Sequence, residues 1–179
     1  MKRFVVLILV IYGFCFVSGN LFADPAVGYW ISVDDRTGQP TAGWRIYQQG
    51  DRLLGMIISF VGIGLPEDIR PEDVIAIGNR ESYPGFPIPG KTNEMPVIGT
   101  PWIFGLSQVR EGEWNGGNII DPESGRMYRC RIIFHPAGSR IRRNTVTVDT
   151  LEMRGEIGLG IGRSQFWQRS DMATASSLR

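Results

Sequence analysis

The sequence is poor in the side chains that most often carry catalysis or bind transition metals. Its 179 residues include one histidine and two cysteines. His135 stands directly before a proline and is expected to face solvent in a turn. The sequence contains no P-loop and no nucleophile-elbow motif, and one histidine with one cysteine cannot build an ordinary zinc site. The composition therefore predicts no catalytic residue, no metal site and no cofactor.

Cysteine is also too scarce to hold the fold together. Cys15 lies in an N-terminal apolar run that is expected to be removed, which leaves Cys130 without an intramolecular disulfide partner. Cys130 alternates with Tyr128, Ile132 and Phe134 on the apolar face of a predicted strand. A thiol on such a face is expected to be buried and unreactive.

The chain has little excess charge of either sign. It has a net charge of +1, and losing the two cations of its first 23 residues leaves −1. A nearly neutral domain has no basic field to attract nucleic acid or an anionic bilayer. Beyond the N-terminus, the longest apolar stretch, Leu53–Ile63, is too short to span a membrane. We therefore expect neither a nucleic-acid partner nor a membrane span in the processed chain.

The N-terminus has the pattern of a secretory signal peptide. Lys2 and Arg3 precede the apolar run Phe4–Val17, which has the length of a signal-peptide core. Cleavage is expected before Asp24, with a site before Asn20 as the alternative and an uncleaved anchor as the other interpretation. The signal predicts export from the cytoplasm.

The remaining sequence indicates β-structure, because turn signals separate short apolar stretches and no long window has helical periodicity. The candidate strands are Val27–Val33, Gly43–Gln48, Leu53–Gly62, Pro101–Ser107, Gly116–Ile120, Arg126–Phe134, Thr145–Arg154 and Ile161–Arg169. About eight such strands suit a sandwich or an up-and-down barrel. Residues 24–170 are predicted to form this single domain, and residues 171–179 a disordered polar tail.

One segment interrupts the β pattern. Leu65–Thr100 is rich in proline, glycine and charge, and its Tyr83–Gly90 portion cannot donate a continuous hydrogen-bond ladder. A long loop in a small domain is often a lid over a cavity, and Tyr83 and Phe86 are the candidate lid residues. The other interpretation is a flap that covers an open sheet edge.

Paired carboxylates and a glycine cluster are the other candidate sites. Asp121, Glu152 and Glu156 could serve a hydrolase of envelope polymers only if two of them met on a concave face. Glu152 and Glu156 instead share strand parity with Arg154, which predicts an exposed row that neutralises itself. Gly158–Gly162 is followed by no helix, so it more simply bends a strand than binds phosphate.

The hairpin Trp114–Tyr128, with its Asp-Pro-x-x-Gly turn, is the most distinctive segment. Together with Gly28-x-Trp30 and the ending Gly162–Arg169, it resembles the exported bacterial family called domain of unknown function 2147. The resemblance extends from Gly28 to Arg169. It implies an exported single-domain protein and supplies no activity or catalytic residue.

A fold-level resemblance to calycins, the lipocalin-like barrels, comes from Gly28-x-Trp30 and a late arginine. It implies a closed antiparallel barrel of about eight strands, in which Arg163 or Arg169 covers the indole of Trp30. Such a barrel can hold one small ligand or be filled by its own side chains.

Five tryptophans are many for a small domain, and the excess could line an apolar pocket. The candidate ligand-binding residues are Trp30, Tyr83, Phe86, Trp114, Arg163, Gln165, Trp167 and Arg169. The leading hypothesis is an exported, non-enzymatic binding protein for a small apolar or amphipathic molecule, in the periplasm or cell envelope of a bacterium. The alternative is a structural or interaction protein of the envelope without a ligand, and a hydrolase of envelope polymers is the third interpretation.

Overall fold

Eight antiparallel strands close into a barrel in the described part of the chain. The computed structural model describes residues 23–62, 69–78, 82–158 and 161–178. The strands are β1 (Gly28–Val33), β2 (Pro40–Gln49), β3 (Arg52–Phe60), β4 (Ile103–Arg110), β5 (Glu113–Ile120), β6 (Met127–His135), β7 (Arg140–Ile141), β8 (Asn144–Thr145), β9 (Thr150–Gly158) and β10 (Ile161–Ser170). The barrel order is β1-β10-β9-β6-β5-β4-β3-β2, and β7 with β8 forms a separate hairpin. The predicted signal peptide, apart from Ala23, lies outside the described residues.

The first and last strands of the barrel pair with each other. In β1, Trp30 is opposite Arg169 of β10 and also opposite Trp44 of β2. Because both edges of β1 are occupied, the sheet is closed and no sandwich forms. The predicted all-β barrel of about eight strands is confirmed.

The inner wall of the barrel forms the core because side chains alternate along each strand. Cys130 is 2% exposed, and burial raises the pKa of its thiol far above the ordinary value. This confirms the predicted burial of the cysteine. Buried side chains also lie beneath the segment between β3 and β4, as Phe104 does. The largest side chains with at most 2% exposure among all the described residues are Trp30, Ile46, Leu53, Trp102, Ile103, Phe104, Leu106, Trp114, Ile120, Ile132, Leu151 and Trp167.

The segment between β3 and β4 packs on the wall of the barrel, and we call residues 69–78 and 82–102 the flap. It contains short 3-10 turns at Pro71–Asp73 and Thr92–Glu94. Its Gly99 N–H donates to the carbonyl of Ile57 at 2.8 Å, and Ile98 forms a bridge with Ile57. The flap therefore covers the edge that β3 exposes where β4 diverges from it.

The C-terminal segment differs from the predicted disordered tail. Met172–Ser176 forms the helix α1, capped by the Asp171 side chain, which accepts from Thr174 N–H at 2.8 Å. Ser59 Oγ donates to the Ala175 carbonyl at 2.5 Å, and Ala175 is buried. A Cβ on Gly43 would collide with that carbonyl, so this glycine makes room for the helix. Within the described residues, no helix is long and apolar enough to cross a membrane.

Candidate functional site

One end of the barrel is closed by the residues that lead into β1, and we call this the closed end. Trp30 is fully buried, and its Nε1–H donates to the Ala26 carbonyl at 2.9 Å. The Arg169 guanidinium lies 4.0 Å from the Trp30 ring centroid, within cation–π range. The same guanidinium donates to the carbonyl of Val27 at 2.9 Å and to that of Pro25. It is therefore Arg169 that covers the indole, as the calycin resemblance implied.

Asp24 fastens the closed end to the β4–β5 turn. Its Oδ1 accepts from Trp114 Nε1–H at 3.0 Å, while Oδ2 accepts from Gly112 N–H at 2.9 Å and Gln108 Nε2–H at 2.8 Å. Trp114 is fully buried, so Asp24 satisfies an indole donor that would otherwise be unpaired. The polar atoms of Trp30 and Trp114 are thus occupied by the protein itself.

A second aromatic group, the indole pair of Trp44 and Trp167, lies inside the barrel next to Trp30. The two rings stack with centroids 4.7 Å apart and planes 22° apart. Both face inward, because Trp44 is opposite Trp30 and Trp167 is two residues from Arg169. Trp167 is fully buried and Trp44 is 7% exposed.

Polar side chains flank the indole pair. Trp44 Nε1–H donates to Ser32 Oγ at 3.3 Å, and Trp167 Nε1–H donates to Gln165 Oε1 at 3.1 Å. Because Gln165 accepts through its oxygen, its NH₂ group is left as a donor on the inner wall. The interior at the indole pair therefore combines a flat apolar surface with a hydrogen-bond donor.

Arg163 lies near the start of β10, six residues from Arg169. That separation corresponds to about 20 Å along a strand, so Arg163 is remote from the closed end. Its guanidinium donates to Asp35 Oδ2 at 3.0 and 2.7 Å, and the side chain is largely exposed. The Arg163–Asp35 ion pair marks the rim above the indole pair.

The two candidate lid residues lie in the flap and contact other groups. Phe86 packs on Trp102 and Phe104, with ring centroids 6.2 and 5.1 Å apart. Tyr83 donates its hydroxyl proton to the Gly125 carbonyl at 2.5 Å. Phe104 is opposite Asn118, on the outer face of the wall, so Phe86 holds the flap against the outside of β4. The structure thus favours the edge-covering interpretation of this segment.

The sequence-predicted residues therefore fall into three groups. Trp30, Trp114 and Arg169 meet at the closed end, and Tyr83 and Phe86 lie in the flap. Gln165 and Trp167 meet at the indole pair, while Arg163 lies further along β10 beside Asp35. Trp44 and Ser32 were not among the predicted site residues. They lie in the predicted strands Val27–Val33 and Gly43–Gln48, but recognising them as neighbours required the pairing of Trp44 with Trp30.

His135 was predicted to be a solvent-facing turn residue, and its position is different. It is the last residue of β6, its side chain is 21% exposed, and its Nε2 shares a hydrogen bond with Glu152 Oε2 at 3.1 Å. Ser164 Oγ donates to the other oxygen, Glu152 Oε1, at 2.7 Å. Ser164 is hydrogen-bonded to the Glu152 carboxylate and not to His135, so the serine and the histidine do not form the nucleophile–base pair of a catalytic triad.

The predicted self-neutralising row of charges holds only in part. Arg154 Nε donates to Glu156 Oε1 at 2.6 Å, as expected, but Glu152 pairs with His135 and Ser164 instead. Glu152 and Glu156 are four residues apart on β9, or about 13 Å, which is beyond the carboxylate separations used by glycosidases. Asp121 accepts from Glu123 N–H and Ser124 Oγ–H in the β5–β6 turn. The structure brings no pair of these carboxylates into a hydrolytic arrangement.

The pKa of Glu152 reflects competing effects. Burial alone would raise it, but the hydrogen bonds from Ser164 and His135, with the charges of His135 and Arg131, lower the pKa below its ordinary value of 4.5. These groups therefore stabilise the ionised form of the carboxyl in the folded protein.

Replacing Glu152 with glutamine is expected to reduce the acid sensitivity of the fold. Because its folded-state pKa is lowered, Glu152 stabilises the fold above its unfolded-state pKa, and this contribution is lost as pH falls through the folded-state value. Urea unfolding at about pH 6 and about pH 3 should show a smaller loss of stability for Glu152→Gln than for wild type. The exposed Glu111→Gln is the matched control, and equal acid losses in Glu152→Gln and wild type would contradict the expectation.

Two further sequence expectations concern cofactors. At Gly158–Gly162, β9 ends at Gly158 and β10 begins at Ile161, while Leu159 and Gly160 lie outside the described residues. A strand, and not a helix, follows these glycines. Among the residues that the structure describes, no group of three or more His, Cys, Asp and Glu side chains could hold a metal ion.

The closed eight-stranded barrel defines a lipocalin-like fold. A comparison with solved structures finds protein HP1028 from Helicobacter pylori, which is described as belonging to the lipocalin family. The TM-score is 0.56 at 13% identity, and the match covers 85% of this chain and 87% of that chain. The chain belongs to the bacterial family described as uncharacterized protein conserved in bacteria (DUF2147), whose family model matches residues 28–169. A comparison with curated proteins finds no match.

Proposed function

We propose that the protein is an exported, non-enzymatic binding protein of the bacterial periplasm or envelope. Its ligand is a small apolar or amphipathic molecule held inside the barrel at the indole pair. The observation that carries this proposal is the inward-facing stack of Trp44 and Trp167, flanked by Ser32 and Gln165. The signal-peptide pattern supports export, and the lipocalin-like fold supports binding in a barrel.

The closed end and the indole pair have different roles in this proposal. At the closed end, the donors of Trp30, Trp114 and Arg169 all bond to the chain itself, so these residues maintain the fold. At the indole pair, the stacked rings of Trp44 and Trp167 form a flat apolar surface, and the Gln165 NH₂ group can orient the polar end of a ligand. The exposed ion pair of Arg163 then lies at the entrance.

A second candidate is a structural or interaction protein of the envelope that takes no ligand. The observation that favours it is the extent to which the barrel supplies its own filling, since Trp30, Trp114 and Trp167 are fully buried. An eight-stranded barrel has little room beyond its own side chains. The two candidates are separated by whether a neutral apolar molecule enters the barrel.

Titration with the neutral fluorescent probe N-phenyl-1-naphthylamine tests the binding site. We expect saturable binding that Gln165→Arg weakens about tenfold or more, because a guanidinium on the inner wall beside Trp167 must then be desolvated. Gln168→Arg is the matched control, since Gln168 is exposed on the same strand with the opposite parity. It should bind the probe as wild type does.

Native mass spectrometry and solvent extraction of the purified protein give a second measurement. A bound apolar molecule, lost in Gln165→Arg and kept in Gln168→Arg, would support the proposed site. The proposal fails if the probe does not saturate, or if the two arginine variants behave alike. Crosslinking in cells to one abundant protein, with an empty barrel, would support the second candidate instead.

A further inference from the structure

A groove of about 570 Å³ lies on the outer wall of the barrel, away from the indole pair. Its lining residues are Asn115, Gly116, Gly117, Asn118, Arg129, Cys130, Arg131 and Glu156. It is formed by β5, β6 and β9, and we call it the outer groove. Its size lies in the range of small-molecule sites.

The groove exists because β5 bulges and carries two glycines. The pairing of β5 with β6 shifts between Trp114 and Gly117. Gly116 has a φ of +76°, and a Cβ there would meet nothing within 4 Å, so open space lies above it. A Cβ on Gly117 would approach the Phe104 carbonyl oxygen to 2.5 Å, so the bulge sits tightly against β4. The backbone thus forms a fixed floor.

The groove is positively charged. Arg129 and Arg131 lie on one face of β6, where Arg131 is directly opposite Arg154 and Arg129 is opposite Glu156. Because like charges that face each other across a sheet repel, Arg131 and Arg154 leave an excess of positive charge here. Glu156 is the only acid in the groove lining, and its carboxylate is bound to Arg154 at 2.6 Å. In the described part of the chain, Arg129 and Arg131 make no hydrogen bond or ion pair, and Arg131 interacts with Glu152 only at longer range.

Two amide side chains add uncharged donors. Asn115 Oδ1 accepts from Gly116 N–H at 2.7 Å, which leaves its NH₂ group to donate. Asn118, opposite Arg129, forms no side-chain hydrogen bond with the residues that the structure describes. Two guanidiniums and two amides are therefore grouped around one floor.

We propose that the outer groove binds a small hydroxylated molecule that carries an oxyanion, as acidic sugars and sugar phosphates do. Guanidiniums bind carboxylate or phosphate by paired, charge-assisted hydrogen bonds, which suits Arg129 and Arg131. Asn115 and Asn118 then donate to hydroxyl oxygens, and Glu156 accepts from a hydroxyl proton. This site shares no residue with the indole pair, so the proposal for the outer groove is independent of the proposed function.

NMR titration of ¹⁵N-labelled protein with D-galacturonate, D-glucose 1-phosphate and D-glucose tests the site. The amides of Gly116 and Gly117 are the reporters, because they form the floor of the groove. We expect a saturable shift with at least one charged sugar and none with glucose. The stronger of the two charged sugars identifies the oxyanion as carboxylate or phosphate.

Three variants test which residues bind. Arg129→Gln and Arg131→Gln should each weaken binding about tenfold or more, because a charge-assisted hydrogen bond is lost. Gly116→Asn tolerates the positive φ and places a side chain in the open space, so it should block binding. Arg140→Gln, at an exposed arginine of β7, is the control and should bind normally.

Two results would overturn the proposal. One is the absence of a saturable shift with either charged sugar at concentrations up to about 10 mM. The other is a loss of affinity in Arg140→Gln as large as in Arg129→Gln and Arg131→Gln. Binding of N-phenyl-1-naphthylamine should be unchanged in all three groove variants. The test of the outer groove is therefore independent of the test of the indole-pair site.

Discussion

Replacing Trp30 with alanine is expected to lower the free energy of unfolding by about 3–5 kcal/mol, the usual cost of deleting a fully buried indole. The indole is 0% exposed, lies under Arg169 at 4.0 Å and meets Phe134 edge-on at 6.3 Å. Its loss leaves a cavity at the junction of β1 with β10 and removes the cation–π contact. Since small domains are stable by about 5–15 kcal/mol, this is a large fraction of the total.

Urea unfolding followed by circular dichroism measures this effect. Trp30→Phe should cost less, because it keeps an aromatic ring below Arg169 and loses the Nε1–H bond to Ala26. Tyr29→Ala is the matched control on the opposite face of the same strand, where the side chain is only half-buried. A loss for Trp30→Ala no larger than that for Tyr29→Ala would show that the first and last strands are not closed over this indole.

The closed end was accessible to prediction because its parts lie at the two ends of the barrel sequence. Trp30 follows Gly28 on the first strand, and an arginine near the end of the last strand must come beside it if the sheet closes. The choice between Arg163 and Arg169 needed the register. Only Arg169 is directly opposite Trp30, while Arg163 lies beside Asp35 near the other end of β10.

The indole pair was harder to predict. Alternation shows which residues of one strand share a face, but it does not place two strands side by side. Trp44 follows a bulge at Gly43, where the pairing of β2 with β3 shifts, and its contact with Trp167 crosses β1. Only the closed barrel brings these two indoles together.

The position of His135 depended on a pairing that local sequence does not reveal. The histidine and Glu152 are 17 positions apart in the sequence, and the residues between them include the hairpin of β7 and β8. Proline after His135 indicated a turn, and the turn is present, but the strand continues to His135 itself. The partner on β9, Glu152, then keeps the histidine side chain half-buried.

The C-terminal helix could not be predicted either. The polar sequence of the tail gave no sign that Ala175 would pack at Gly43.

Replacing Asp24 with alanine is the second change that we expect to destabilise the protein strongly, by about 2–4 kcal/mol. It removes the acceptor for Trp114 Nε1–H and Gly112 N–H, and an unsatisfied buried donor costs about 1–3 kcal/mol. Thermal unfolding of Asp24→Ala and Asp24→Asn measures it. Asparagine keeps one carbonyl oxygen, so it can still accept from Trp114 and should lose less.

The contacts of Asp24 also constrain how the chain can be processed. Cleavage before Asp24 or before Asn20 keeps this carboxylate, whereas cleavage beyond Asp24 would leave the Trp114 indole donor unpaired and free the closed end. If the chain is exported as we propose, we expect its intact mass to correspond to an N-terminus at or before Asp24. Equal stability of Asp24→Ala and wild type, or an exported chain that begins after Asp24, would show that the carboxylate does not hold the closed end in place.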